Sequence, residues 1–359
     1  MTERLTPAQS PISKKVGSPI LEVKGLTKFF SVGTGFSDKK LRALNDISFE
    51  LYRGECIALV GESGSGKSTI LKILARLEQP SGGEIKFQGK DLLAQEPNRA
   101  SLEYRRLVQM IFQDPFGSLN PIHTVRHHLA RPLLRHKLVK DKAQLERELL
   151  ALLETVGLTP ASEYANKHPH QMSGGQRQRV AIARALAVKP VVVLADEPIS
   201  MLDVSIRMGV LNLMHDLKTA TSVGYLYVTH DLASARYIAD RTMVMYAGNM
   251  VEGGPSEALL DTPAHPYTKL LLAAVPDPKG DIFRKLPANS GSPKLIDPPP
   301  GCAFADRCPE VMDICKTESP PPVRLRRKDV SRHFVRCHLY KDEPVSPFEA
   351  PAPHGINED

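Results

Sequence analysis

No stretch of this 359-residue chain approaches the ~18–20 consecutive apolar residues that cross a bilayer, which argues against a membrane-embedded protein. Met1 to Ile20 is polar and sprinkled with Pro and Ser. It lacks the apolar segment of a secretory signal, so a cytosolic protein is expected. Cysteine is scarce, with five in all, and a chain this long buries roughly 75% of its unfolded surface without disulfide staples. No repeat of solenoid period is visible. Neither sign of charge is missing: 47 Lys and Arg stand against 40 Asp and Glu, a formal +7. With 24% charged and 42% hydrophobic residues, this is the balance of an ordinary globular chain rather than a disordered one. The length suggests two or three structural units at ~100–200 residues each.

What is present is unevenly placed. Fifteen of the 30 prolines fall after residue 275, as do four of the five cysteines. Long helices are not expected there, because proline removes a backbone donor and clashes with the preceding turn.

Upstream, Ile20–Val23, Ala43–Leu51 and Cys56–Val60 read as short strands, the last apolar throughout and so expected to be buried on both faces. It runs into Gly61-Glu62-Ser63-Gly64-Ser65-Gly66-Lys67-Ser68, followed by Thr69 and a helical pattern with Ile70, Leu71, Ile73, Leu74 and Leu77 inward, stopped near Pro80. Strand, glycine-rich loop and helix make one unit of a parallel α/β sheet, and the spelling is that of a phosphate-binding loop. Glycines let backbone N–H groups curl around phosphates, and the helix points its positive end at them. Lys67 reaches the terminal phosphates and the Ser68 hydroxyl can ligate Mg²⁺.

Helical periodicity runs from about Val125 to Leu158. Ser173 is a plausible cap for a helix with Val180, Ala183 and Ala187 on its apolar face, ending at Pro190. Further strands are expected at Val191–Ala195, Tyr225–Thr229 and Thr242–Tyr246. Asp196 and Glu197 follow the first of these, at the edge where parallel sheets bind ligands. The pair suits a division of labour, Asp196 for Mg²⁺ and Glu197 to polarise an attacking water. His230 ends the second. Ser173-Gly174-Gly175-Gln176 reads either as a capped helix start or as an anion-receptive half-site that completes another subunit's nucleotide site.

The ordered set Gly61–Ser68, Gln113, Ser173–Gln176, Asp196-Glu197, Asp203 and His230 resembles the nucleotide-binding subunit of an ABC transporter. The resemblance implies a P-loop α/β ATPase with an antiparallel β subdomain, a helical signature subdomain and a small Cys/Pro-rich C-terminal appendage. It also implies Glu197 as catalytic base and Asp196 as the Mg²⁺ aspartate. Gln113 would be the Mg²⁺ and water sensor, His230 the γ-phosphate contact and Asp203 part of the D-loop. Phe30 sits where the family stacks an aromatic ring on adenine, though it can equally be core. Two positions depart from the pattern: Met172 opens the signature where Leu is usual, and the bulky Met201 precedes Leu202 in the D-loop, where it bears on a dimer contact.

Phe112 to Pro121 and His265-Pro266-Tyr267-Thr268 are similar to the oligopeptide/dipeptide importer branch. The insert Ser31–Arg42 and the run Gly175–Arg179 resemble the second of its two ATPase subunits. The expected organisation is a flexible lead over 1–19, the ATPase domain over 20–260 (helical part about 115–180), the branch's C-terminal region over 261–340 and a disordered tail over 341–359. The branch implies ATP and Mg²⁺, a second ATPase subunit, most often a different one, two membrane permeases and an extracytoplasmic binding protein. Peptide is the implied cargo and the cytoplasmic face of the membrane the implied location; sugar or metal-chelate import is the alternative.

A nucleic-acid-acting ATPase is the rival class, since +7 is compatible with phosphate-backbone binding. Against it, Lys and Arg are dispersed and no coiled-coil insertion separates loop from signature, so no nucleic-acid partner is expected. A non-hydrolysing regulatory module conflicts with the intact Glu197 and His230.

Cys302, Cys308, Cys315 and Cys337 are spaced too widely for the usual zinc pairs, and a reducing compartment disfavours disulfides. Four thiolates can also hold an iron–sulfur cluster, so spacing alone leaves zinc, cluster and no metal open. The tail resembles the cysteine region of the importer branch, in which [4Fe–4S] clusters occur. That resemblance implies a cluster here, with zinc as the alternative.

Overall fold

A computed structural model describes residues 17–32, 39–274, 293–325 and 333–340. The expected tail, residues 33–38 of the insert and all but the last three residues of the expected lead lie outside the described residues.

The strands in chain order are β1 (Leu21–Val32), β2 (Lys39–Leu51), β3 (Cys56–Val60), β4 (Gly82–Phe87), β5 (Lys90–Asp91), β6 (Val108–Ile111), β7 (Val192–Asp196), β8 (Gly224–Thr229), β9 (Arg241–Tyr246), β10 (Asn249–Pro255), β11 (Pro322–Arg324) and β12 (Phe334–Arg336). They form an antiparallel sheet ordered β2-β1-β4-β5 and a larger sheet ordered β11-β12-β10-β9-β3-β8-β7-β6. The larger sheet is parallel from β9 to β6 and antiparallel beyond β9. This is the expected α/β class with an antiparallel subdomain.

The continuous apolar strands are buried on both faces, as their sequences require. Cys56, Ala58, Val60, Val193, Ala195, Tyr225 and Tyr227 pack toward the helical layer. Alternate residues Ile57, Leu59, Val192, Leu194, Leu226 and Val228 pack against the helix Lys67–Leu74 and the antiparallel sheet. The helical layer contains Val125–Arg135, Lys142–Thr155, Ala161–Asn166 and Gly174–Leu186, the last capped by Ser173 as expected.

Leu77 corrects an expectation. It is 63% exposed rather than inward. The phosphate-loop helix ends at Leu74 because Arg76 turns left-handed (φ 56°), with Arg76 N–H donating to Ile73 and Leu77 N–H to Lys72. This closing turn satisfies the last helical carbonyls before the chain reaches Pro80.

The proline-rich region holds only short elements among its described residues, but it is not a separate lobe. Strands β12 and β11 extend the main sheet from β10. The attachment is anchored by Glu252 on β10, a fully buried carboxylate that accepts from the backbone N–H groups of Ala264 and His265 at 2.8 and 2.9 Å and lies 2.8 Å from His333 Nε2.

Candidate functional site

The loop 61–68 is wedged between β9 and β2, which explains two of its glycines. A Cβ on Gly61 (φ +149°) would lie 2.1 Å from the Met245 carbonyl oxygen, and one on Gly66 (φ +103°) 2.5 Å from that of Ala43. Gly66 caps the helix with no side-chain partner, so no capping side chain occupies the helix start beside the loop, and the Gly66 carbonyl accepts from the Thr69 and Ile70 N–H groups. Ser65 is buried, while Ser63 and Gly64 are exposed at the tip. Lys67 is buried, and its ammonium donates to the carbonyl oxygens of Gly61 and Glu62 at 2.7 and 2.8 Å. Burial lowers its pKa, and the nearby carboxylates of Glu197, Asp196 and Glu62 oppose that shift.

The other catalytic candidates converge here because the sheet order places β3, β8 and β7 side by side, with their C-terminal ends on one edge. Ser68 Oγ donates to Asp196 Oδ1 at 2.9 Å. Desolvation raises the Asp196 carboxyl, and the Ser68 bond partly counters this. The two hard oxygens, on a carboxylate and a hydroxyl beside an anion cradle, fit an octahedral divalent cation such as Mg²⁺. Glu197 takes a left-handed backbone (φ 44°), uncommon for a residue with a side chain and a form of strain that gathers at functional sites. Its Oε2 accepts from Gln113 Nε2 at 3.2 Å and lies 3.2 Å from His230 Nδ1. Gln113, Asp196, Glu197 and His230 are thus brought together with the loop.

Phe30 is half-buried on β1, paired with Leu41 close to the Ala43 carbonyl that abuts Gly66, and the Lys28 ammonium lies 4.6 Å from its ring centroid. The signature residues stay within the helical layer. Ser173 and Gln176 form a reciprocal capping box, and Gln176 Nε2 also donates to the Tyr164 hydroxyl. Gly175 is buried and meets Ile206, while Gly174 faces Leu202. Asp203 is exposed at the head of the helix Val204–Thr221, within an exposed apolar patch of Met201, Val204 and Met208.

The four C-terminal cysteines, all free thiols, line one small pocket. Burial pushes the thiols of Cys302, Cys308 and Cys337 up, the last to about 11, which keeps them protonated near neutrality. Among the described residues no group of three or more His, Cys, Asp or Glu side chains is placed to hold a metal ion. The expected cluster is therefore met in the gathering of its donors and unsupported in their coordination.

Two features escaped the sequence. Tyr267 and Arg307 bond directly to Glu62 of the loop. Tyr267 lies in the four-residue mark His265–Thr268, whereas nothing around Arg307 signals its role. A pocket of about 420 Å³ opens between the helices Leu102–Leu107 and Val125–Arg135, lined by Arg105, Arg131, Arg135, Arg184 and four histidines, with no acidic side chain in its lining among the described residues. Among the described residues no helix is long and apolar enough to cross a membrane.

Comparison with known proteins agrees with this geometry. Residues 44–200 match the ABC transporter family, and 251–315 the oligopeptide/dipeptide transporter C-terminal region. The chain is 42% identical over 331 residues to the oligopeptide transport ATP-binding protein AppF of Bacillus subtilis, covering 89% of this chain and 97% of that one. It is 43% identical to the dipeptide transport ATP-binding protein DppF of Escherichia coli, covering 89% and 94%. Among solved structures it is similar to the dimeric bacterial ABC transporter cassette MJ0796, with TM-score 0.57 and 28% identity over 66% of this chain and 98% of that one.

Proposed function

Because this chain belongs to the ABC transporter family of ATP-binding proteins, in its oligopeptide/dipeptide branch, we propose that it is the ATPase subunit of a peptide importer. The observation that carries the hydrolytic reading is the position of Glu197, one residue beyond the Asp196–Ser68 pair and within bonding distance of Gln113 and His230.

The loop amides and Lys67 bind and orient the phosphates of ATP. The Glu197 carboxylate takes a proton from water as its oxygen bonds to the γ-phosphorus and the bond to the ADP oxygen breaks, giving ADP and phosphate. Gln113 and His230 hold Glu197 and the water in line. Mg²⁺, held by Ser68 and Asp196 with Gln113 nearby, supplies positive charge against the phosphate oxygens. Phe30 stacks on the adenine.

Ser173, Gly174, Gly175 and Gln176 complete the site of a second ATPase subunit in a head-to-tail dimer, with Asp203 at the junction. The exposed Met201, Val204 and Met208 support such a face, and the resemblance of the insert and the Gly175–Arg179 run to the second ATPase subunit supports a partner of different sequence. The basic pocket beside β6, the strand that leads to Gln113, suits an acidic segment of a permease. Two permeases and an extracytoplasmic binding protein complete the importer, with this chain peripheral on the cytoplasmic face. The finer reading at the cysteine pocket, a [4Fe–4S] cluster with zinc as the alternative, rests on the resemblance of the tail to the branch's cysteine region and on the gathering of four thiols. Iron and zinc analysis with visible absorbance tests it, and a colourless, iron-free protein ends the cluster reading.

The test of cargo is uptake. Reconstituted with its permeases, partner ATPase and binding protein, the complex should accumulate labelled di- and oligopeptides only with ATP. Uptake of sugars or metal chelates in their place would overturn the peptide assignment, and DNA-stimulated hydrolysis without uptake would overturn transport itself.

A further inference from the structure

The C-terminal region reaches into the phosphate loop and holds one of its residues by both backbone and side chain. The Glu62 N–H donates to the Tyr267 hydroxyl at 2.9 Å. The Glu62 carboxylate accepts two parallel bonds from Arg307, Nη1 to Oε2 at 2.8 Å and Nη2 to Oε1 at 2.9 Å. The carbonyl oxygen of the same residue accepts from the Lys67 ammonium at 2.8 Å. Glu62 is therefore the link between two residues more than 200 positions downstream and the lysine that reaches the phosphates.

The clamp is built to hold its shape. The Arg307 side chain is only 15% exposed and that of Glu62 35%, so water screens the pair incompletely. The guanidinium lies 5.6 and 5.8 Å from the ring centroids of Tyr246 and Phe304, and Nη1 is 3.4 Å from the Tyr246 hydroxyl. Tyr246, Tyr267 and Phe304 pack with centroids 4.7 to 5.4 Å apart, fixing the Tyr267 ring. A planar fork engaging both carboxylate oxygens sets orientation as well as distance, which a lysine at the same place cannot do.

We propose that Arg307 and Tyr267 are positioning residues for ATP: they fix Glu62, and through its carbonyl they set Lys67 and the curvature of the loop from Gly61 to Ser68. The C-terminal region thereby tunes nucleotide affinity from outside the ATPase core. This rests on the reading of the loop as the nucleotide site. Both side chains bond to Glu62 rather than to Lys67, Ser68 or Glu197, so their loss acts on affinity more than on the chemical step.

The test is steady-state ATP hydrolysis by the full chain in its transporter complex, resolved into KM and kcat. Arg307→Gln should raise KM for ATP about tenfold, equivalent to ~1.4 kcal/mol, with kcat changed less than about twofold. Tyr267→Phe should raise KM by a smaller factor. Glu62→Gln should raise KM as Arg307→Gln does, and the double variant should be no worse than either single one, the signature of two residues acting through one contact. Arg307→Lys should restore only part of the affinity. Unchanged KM in folded Arg307→Gln, or additive losses in the double variant, would overturn the proposal. Should Arg307→Gln fail to fold, Tyr267→Phe and Glu62→Gln decide: a KM equal to that of the unsubstituted protein in both overturns it. A complex without ATPase activity before any substitution would instead overturn the nucleotide-site reading.

Discussion

The Ser68 hydroxyl donates to Oδ1 of Asp196 across 2.9 Å, joining the head of the phosphate-loop helix to the end of β7, 128 residues along the chain. The two meet because β8 alone separates β3 from β7 in the sheet. Asp196→Asn keeps the shape and removes the charge. It should reduce Mg²⁺-dependent ATP hydrolysis on the order of 100-fold, or ~2.7 kcal/mol of barrier, and weaken the response to Mg²⁺ titration. Hydrolysis near the unsubstituted rate at the same Mg²⁺ would show that Asp196 is not the cation's ligand.

Acid should loosen the C-terminal attachment. His265 is buried and neutral, its pKa pushed down to about 4 by desolvation, with Nδ1 accepting from the Tyr267 N–H. Between its ordinary 6.5 and about 4 the unfolded chain takes up a proton that the folded chain refuses. Stability is therefore fully present above pH 6.5 and lost as pH falls through that window, by up to about 3 kcal/mol. Glu252 acts in the same direction lower down: His333 and its other donors outweigh desolvation and hold its carboxyl below the usual value, so its contribution is lost as pH falls through the folded pKa. The melting temperature should hold above pH 6.5 and fall steadily from there to pH 5. A flat profile would contradict the buried-neutral assignment of His265.

Strands β3, β7 and β8 and the loop after β3 were legible in the sequence because strands buried on both faces are apolar throughout and phosphate cradles demand particular residues. The outer strands were not. β11 and β12 have three residues each, too short for any periodicity, and they exist through pairing to β10. Leu77 looked like helix core because periodicity carries no record of the left-handed Arg76 that stops the helix. Long-range pairs such as Arg307–Glu62 and His333–Glu252 leave no local trace at all. Glu197 was marked by its place just after β7 and His230 by its place just after β8, Gln113 and the role of His230 by the resemblance, and their convergence follows from strand order.

Ser173 offers a way to separate stability from function. Its hydroxyl caps the helix Gly174–Leu186, so Ser173→Ala should cost about 1 kcal/mol of stability in chemical denaturation. Ser173→Asp supplies a cap and should restore that stability. If Ser173 also completes a partner's nucleotide site, hydrolysis stays depressed in both variants. Recovery of hydrolysis alongside stability in Ser173→Asp would reduce Ser173 to a cap.

Val204 is 77% exposed and Met201 56%, a surface that gains by being covered. Val204→Asp should abolish ATP-induced association with the partner ATPase, read by light scattering, while shifting the melting temperature by no more than a degree or two. Undiminished association would place the dimer face elsewhere.

The measurement that bears most directly on the whole reading is the behaviour of Glu197→Gln. The substitution keeps the hydrogen bonding near Gln113 and His230 but removes the base. Single-turnover hydrolysis should fall by about 100-fold or more, while ATP still binds and the ATP-bound dimer accumulates in light scattering. Hydrolysis at the unsubstituted rate, with no accumulated dimer, would show that Glu197 is not the base.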